Sequence, residues 1–189
     1  MKKTTLLRLF TFVLLVGLMA SCSKDKPSKP GNDDGGGDDN NNPPPTTSYY
    51  VKMKMDGAAL NYSGSVKAIR SVQQDGTTHS LQIQGIKGNG STDEIDLIVL
   101  GAEDADLGEY TEGQHDFYAI FGVYAPQNRA DDAGIFYGGV HENASFKIKI
   151  SEITNDYIKG TFSGTFYDND GNGNNKKVFS EGEFKAPLQ

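Results

Sequence analysis

"IKGTFSGTFY", residues 158–167, is the stretch that decides the fold class. The candidates for burial in this run are Ile158, Phe162 and Phe166. They are spaced by multiples of two, and small or polar residues lie between them. Side chains of a strand point alternately to opposite faces, so this spacing predicts a β-strand with one buried and one wet face. Gly160 and Gly164 interrupt the run, and glycine within a strand pattern predicts a bulge or bend.

The same alternation recurs along the chain. It is present in "VKMKM" (51–55), "SLQIQ" (80–84) and "FKIKIS" (146–151). Asp56-Gly57 and Asp75-Gly76 separate such runs as tight-turn signals. Two further runs, "IDLIVLG" (95–101) and "FYAIFGVY" (117–124), are apolar on both faces and predict central strands covered on each side.

These runs amount to roughly nine or ten strands, and no stretch has a sustained helical period. We therefore expect an all-β fold, an antiparallel β-sandwich, formed by residues 49–189 as a single domain. The alternative is a lipocalin-like closed barrel, because bends at Gly160, Gly164 and Gly182 could curl one sheet until its edges meet.

The N-terminal residues indicate where in the cell the protein is located. Lys2 and Lys3 precede an apolar run of 12 residues, 9–20, interrupted by Thr11 and Gly17. A transmembrane helix needs about 20 apolar residues, so the run has the proportions of a signal peptide. Residues 1–21 are predicted to be that signal.

Cys22 is the predicted site of lipidation. Met19-Ala20-Ser21-Cys22 resembles the lipobox of bacterial lipoproteins, with Met in place of the usual Leu. The thiol would carry a diacylglycerol and the freed amine a further acyl chain. Each buried CH₂ contributes about 0.8 kcal/mol, so two or more chains hold a protein stably on a membrane. The alternative is an ordinary secretory signal in which the only cysteine stands by chance.

Residues 22–48 are predicted to be the lipidated cysteine and a disordered linker. Residues 23–48 contain no large apolar side chain, so nothing offsets the entropy of ordering them. A flexible coil of this length has a root-mean-square reach of about 28 Å. Removal of Lys2, Lys3 and Arg8 with the signal leaves 15 basic against 25 acidic residues, a net charge of −10. That sign makes nucleic acid an unlikely partner class.

Four stretches carry a family resemblance: "VKMKMDG" (51–57), "LGEYT" (107–111), "IKGTFSGTFYD" (158–168) and "SEGEFKAP" (180–187). With the lipobox, they resemble a family of small β-rich lipoproteins of the Bacteroidota. The resemblance implies a fold and an anchor in the outer membrane, and it brings no catalytic residue. Asp33, Asp34, Asp38 and Asp39 are similar to acidic signals that send some such lipoproteins to the cell surface, which slightly favours that face. A merely solvated linker is the alternative.

A calcium loop is one candidate site. Asp168, Asp170 and Asn172 occupy positions 1, 3 and 5 of an EF-hand-like pattern, with Gly173 at position 6. Position 12 is Phe179 instead of the bidentate Glu, so the pattern predicts at best a weak site, with a Kd of about 10⁻⁴ to 10⁻³ M. The alternative is a polar hairpin loop without an ion, and no other cofactor is expected.

A sugar-binding surface is the other candidate. Tyr118, Tyr124 and Tyr137 could face outward and stack on sugar rings, with Asn128 and Arg129 supplying hydrogen bonds. The chain has no Trp, and the tyrosines could instead fill the core.

The expected function is a non-enzymatic binding or envelope-interaction module, anchored through the lipid on Cys22, whose partner is a glycan or another envelope protein. A glycan hydrolase is one alternative, since the acidic stretch 101–116 could contain a pair of carboxylates. A lipocalin-like carrier of an apolar ligand is the other.

Overall fold

The computed structural model describes residues 48–88, 90–113, 118–127, 134–140, 145–168 and 175–189. Eleven β-strands lie in these ranges. They are β1 (Tyr50–Met55), β2 (Ala58–Tyr62), β3 (Ser65–Val72), β4 (His79–Ile86), β5 (Glu94–Gly101), β6 (Gly108–Thr111), β7 (Tyr118–Ala125), β8 (Phe136–Gly138), β9 (Lys147–Ile153), β10 (Tyr157–Asp168) and β11 (Lys176–Pro187). The described residues hold no helix of the length and apolarity that would cross a bilayer.

All eleven strands belong to one sheet with antiparallel pairing between neighbours. The order is β2-β1-β11-β10-β8-β7-β5-β4-β3. β9 pairs with residues 158–163 of β10, whereas β8 pairs with residues 167–168 of the same strand. β6 pairs with β9. Just after β11, Leu188 forms a bridge with Ala68 of β3, and the Gln189 amide donates to the Ala68 carbonyl at 2.9 Å. The sheet therefore curls into a nearly closed barrel.

The all-β antiparallel prediction is confirmed. The single curled sheet follows the closed-barrel alternative more closely than the sandwich, and it has eleven strands where roughly nine or ten are predicted. Register shifts explain the curl. They occur beside Gly160 and Gly164 in β10 and at Glu181-Gly182 in β11, the three places where glycine predicts bends. Bulges increase local twist and let a sheet turn back on itself.

The core lies on the inner face and follows the period of two. In "IKGTFSGTFY", Ile158, Phe162 and Phe166 are only 0%, 3% and 0% exposed. The inward residues of the other alternating runs are buried in the same cluster: Val51, Met53, Leu81, Ile83, Phe146, Ile148 and Ile150. Burial of such side chains contributes about 1.5–3 kcal/mol each, which makes the alternation the main determinant of which face turns inward.

Of the two runs predicted to be covered on both faces, the one in β5 is buried on both faces at Leu97, Ile98 and Val99, whereas the one in β7 is buried on one face. Ile95, Leu97 and Val99 of β5 are buried inside, whereas Phe121 and Val123 of β7 point outward and are half-buried. For β7 the expectation is wrong, because a barrel buries the inner face of its wall and turns the outer face toward solvent. The outward apolar residues instead shield one another along the outer surface, as Phe121 and Ile98 do from opposite positions.

Candidate functional site

A row of outward side chains crosses seven strands from β3 to β11, and we call it the outer belt. Each member lies directly opposite the next in the strand register. The members are Lys67, Gln84, Asp96, Val123, Tyr137, Tyr167 and Lys176. All are half-buried except Lys176, which is exposed. With about 4.8 Å between strands, the belt is about 29 Å long.

One end of the outer belt is polar and held by hydrogen bonds between amides and acids. Gln82, one row away on β4, donates through Nε2 to Oδ1 of Asp96 at 3.0 Å. Gln84 donates through Nε2 to Oε1 of Glu94. Both glutamine amides therefore fix the direction in which the carboxylates of β5 point.

Asp96 has a perturbed acidity in this setting. Burial raises the pKa of Asp96 to about 7, and repulsion from Glu94 adds to the rise. The hydrogen bond from Gln82 and the charge of Lys67 oppose it. The neighbouring Glu94 side chain thus favours the protonated form of Asp96.

The other end of the outer belt is aromatic. Tyr137 of β8 stands between Val123 and Tyr167, and Phe121 lies in the next row. The outward, half-buried placement of Tyr137 agrees with the sequence prediction. Tyr167 is a site residue that the prediction omits, although its odd position beside the inward Phe166 indicates an outward side chain. Gln82 and Gln84 alternate in the same way with Leu81 and Ile83.

Two predicted surface tyrosines face the interior, so that part of the prediction is wrong. Tyr124 is 5% exposed, and its ring lies 5.6 Å from that of Phe179. Tyr118 packs against the core, with its ring 5.2 Å from the Tyr110 ring. The reason is positional, since both tyrosines share the parity of Ile120, which is buried on the inner face of β7. Asn128 and Arg129 lie outside the described residues.

Of the three predicted calcium ligands, Asp168 is the one that lies among the described residues. Asp168 ends β10 opposite Phe136, and its amide donates to the Asn175 carbonyl at 3.1 Å across the hairpin to β11. Asp170 and Asn172 lie outside the described residues. Within the ranges that are described, no three His, Cys, Asp or Glu side chains are grouped to hold a metal ion.

Asp93 forms a buried polar cluster at one end of the barrel. It is 6% exposed, accepts a hydrogen bond from the Tyr62 hydroxyl at 2.7 Å and lies 3.3 Å from Nζ of Lys87. Burial, followed by the bond to Asp93, raises the pKa of Tyr62, which keeps its proton on the hydroxyl. A buried carboxyl group needs such partners, because burying it without hydrogen bonds would cost free energy.

The acidic stretch 101–116 does not gather its carboxylates in the part that is described. Asp104 lies 2.7 Å from Nδ1 of His79, while Asp106 accepts from the Leu107 amide at 2.7 Å. Glu109 is exposed on β6, and Asp116 lies outside the described residues. Glu94 and Asp96, two residues apart on the outer face of β5, are neighbouring carboxyl groups outside this stretch.

No protein-family model, curated protein or solved structure matches the chain.

Proposed function

We propose that the protein is a lipoprotein of the outer membrane, anchored through Cys22, whose β-domain binds glycans at the outer belt without acting as an enzyme. The lipobox-like residues 19–22 and the acidic linker support the anchor and slightly favour the cell surface. The outer belt supports the binding role, and it is the observation that carries the proposal.

The chemistry of the outer belt is suited to sugars. A sugar ring has apolar C–H faces and a rim of hydroxyl groups, so its recognition needs an aromatic surface beside fixed hydrogen-bonding groups. Tyr137 and Tyr167 supply the rings, whereas Gln84 and Asp96 supply donors and acceptors in the same row.

The alternative of a glycan hydrolase fits this geometry less well. Glycosidase carboxyl groups flank the bond to be cleaved and lie about 5–10 Å apart. Glu94 and Asp96 lie on the same face of one strand, and each accepts a hydrogen bond from a glutamine of β4, so the two carboxyl groups do not face each other across a cleft. We therefore assign these acids to ligand contact and to holding the outer belt.

The alternative of an apolar carrier also has less support. A lipocalin-like carrier keeps a cavity in its barrel, whereas aromatic rings fill the centre of this one. The ring of Phe166 lies 4.5 Å from that of Phe179 and 5.1 Å from that of Phe146. An interior filled by aromatic rings favours a binding role for the outer surface.

The test is calorimetric titration of the full chain with a panel of bacterial and host glycans, repeated on Tyr137→Ala and Tyr167→Ala. Each ring removed is expected to weaken binding about tenfold, or about 1.4 kcal/mol. Tyr50→Ala is the control, because Tyr50 is a half-buried tyrosine on β1 outside the outer belt. Absence of any glycan binding, or an equal loss with Tyr50→Ala, would reject the proposal. Release of shorter sugars on incubation would instead favour the hydrolase.

A further inference from the structure

A polar groove lies on the outer surface where β9, β10 and β11 run side by side. Its volume is about 400 Å³, within the size range of small-ligand pockets. The groove is separate from the outer belt. The outer belt crosses β10 at Tyr167, four residues after Ser163, which is the last β10 residue that lines the groove. We call it the β10 groove, lined by Glu109, Lys147, Lys149, Thr161, Phe162, Ser163, Glu181, Gly182 and Glu183.

A bulge in β11 produces the hollow. Glu181 has a φ of +51°, and the register of β11 shifts at this point against both β1 and β10. Gly182 follows and is buried directly against Phe162, which lets the two strands pack closely beneath the groove. A Cβ on Gly182 would lie 2.4 Å from the Phe162 carbonyl oxygen, which no ordinary side chain tolerates.

Charged side chains line both walls of the β10 groove. Lys147 and Lys149 of β9 form one wall, where Glu109 of β6 lies opposite Lys149 in the strand register, and Glu183 of β11 belongs to the other. Lys149 and Glu183 both lie opposite Thr161, one on each side, so their backbones are about 9.5 Å apart. The floor between them carries the hydroxyls of Thr161 and Ser163.

The second acid of the β11 wall is already engaged. Oε1 of Glu181 lies 2.7 Å from Nζ of Lys54 on β1. That ion pair holds Glu181 toward β1 and makes Glu183 the acid placed to meet a cation in the groove.

We propose that the β10 groove binds a short zwitterionic peptide across the strands. The ligand carboxylate would contact Lys147 and Lys149, and the ligand ammonium would contact Glu183. An extended dipeptide is at most about 7 Å long, so long Lys and Glu side chains on the two walls reach both of its ends. The Thr161 and Ser163 hydroxyls are then available to the peptide amide.

The test uses dialanine as the probe and the ¹⁵N-labelled full chain. Dialanine is expected to shift the amide resonances of Thr161, Ser163 and Gly182 in a saturable way, while those of Tyr137 and Gln84 in the outer belt stay in place. Lys149→Gln and Glu183→Gln should each weaken binding about tenfold, as expected for one charge-assisted contact. Lys159→Gln is the control, since Lys159 is exposed on β10 outside the groove.

Dialanine with both ends blocked distinguishes recognition of the two charges from non-specific binding. N-acetyl-dialanine amide has the same shape without the two charges, and it is expected to leave the groove resonances unchanged. Equal binding of the blocked peptide, loss of binding in Lys159→Gln, or no shift with dialanine at saturating concentration would each overturn the proposal.

Discussion

Gly122 and Gly138 lie beneath the ring of Phe166 at the centre of the barrel. A Cβ on Gly122 would come within 2.1 Å of the ring, and one on Gly138 within 2.5 Å. Both glycines are buried at inward positions, and they lie directly opposite each other on β7 and β8. Their missing side chains are the space into which Phe166 packs, and close packing leaves no slack for even one methyl group.

Gly122→Ala is therefore expected to destabilise the protein by about 1–3 kcal/mol, because the new methyl group overpacks the core. Thermal unfolding measures the loss as a fall of several degrees in Tm. Gly88→Ala is the matched control, since a Cβ there meets nothing within 4 Å. If the two variants unfold at the same temperature, Phe166 is not confined by Gly122.

At the scale of the element, β5 combines an apolar inner face with an acidic outer face. Ile95 and Leu97 are fully buried, while Glu94 and Asp96 point outward into the amides of β4. The raised pKa of Asp96 means that the folded protein holds this proton more tightly than the unfolded chain does. Protonated Asp96 thus favours folding, and its contribution is complete below the ordinary pKa of 3.8.

This contribution is lost as the pH rises toward about 7, so the wild type should lose part of its stability between about pH 4 and pH 7. Asp96→Asn stays neutral and avoids that loss. The Tm of Asp96→Asn relative to wild type should increase from pH 4.5 to pH 8. Asp75→Asn is the control, because hydrogen bonds from Thr77 and Thr78 lower the pKa of Asp75 to about 2, outside this window. A difference between Asp96→Asn and wild type that stays constant with pH would contradict the assignment.

At the scale of the whole molecule, closure of the barrel brings segments that are distant in sequence into contact. Ala68 of β3 meets Leu188 at the other end of the barrel wall, and Leu188 packs against the core. β1 also approaches β4 closely, since a Cβ on Gly85 would lie 2.9 Å from Cγ2 of Val51. These contacts convert a curled sheet into a nearly closed one and reduce the length of unpaired edge.

Attachment to a membrane through Cys22 is a prediction that is tested on the whole chain of residues 1–189. In a Gram-negative host that processes lipoproteins, the wild type is expected in the membrane fraction and Cys22→Ser in the aqueous fraction, because two or more acyl chains are needed for stable anchoring. Ser23→Ala leaves the cysteine in place and should behave as wild type. Retention of Cys22→Ser on membranes to the same extent would show that another part of the chain provides the attachment.

The sequence by itself determined the strand pattern and the inner face. The alternation at 51–55, 80–84, 146–151 and 158–167 depends only on residue spacing, and it identified the buried residues because each strand must turn its apolar side away from water. It also placed bends at three glycines. It predicted no resident cofactor and no catalytic group, and neither expectation is tested by the fold.

Only the tertiary structure decided which strands become neighbours. The outer belt joins Lys67 to Lys176 through a strand order that skips along the chain, and the β10 groove depends on a bulge shared by three strands. Parity indicated that Tyr167 faces outward, but its place beside Tyr137 depends on β8 pairing with the end of β10. Side-chain direction is a local property of the backbone, whereas strand order and closure depend on contacts between distant segments, which local spacing does not encode.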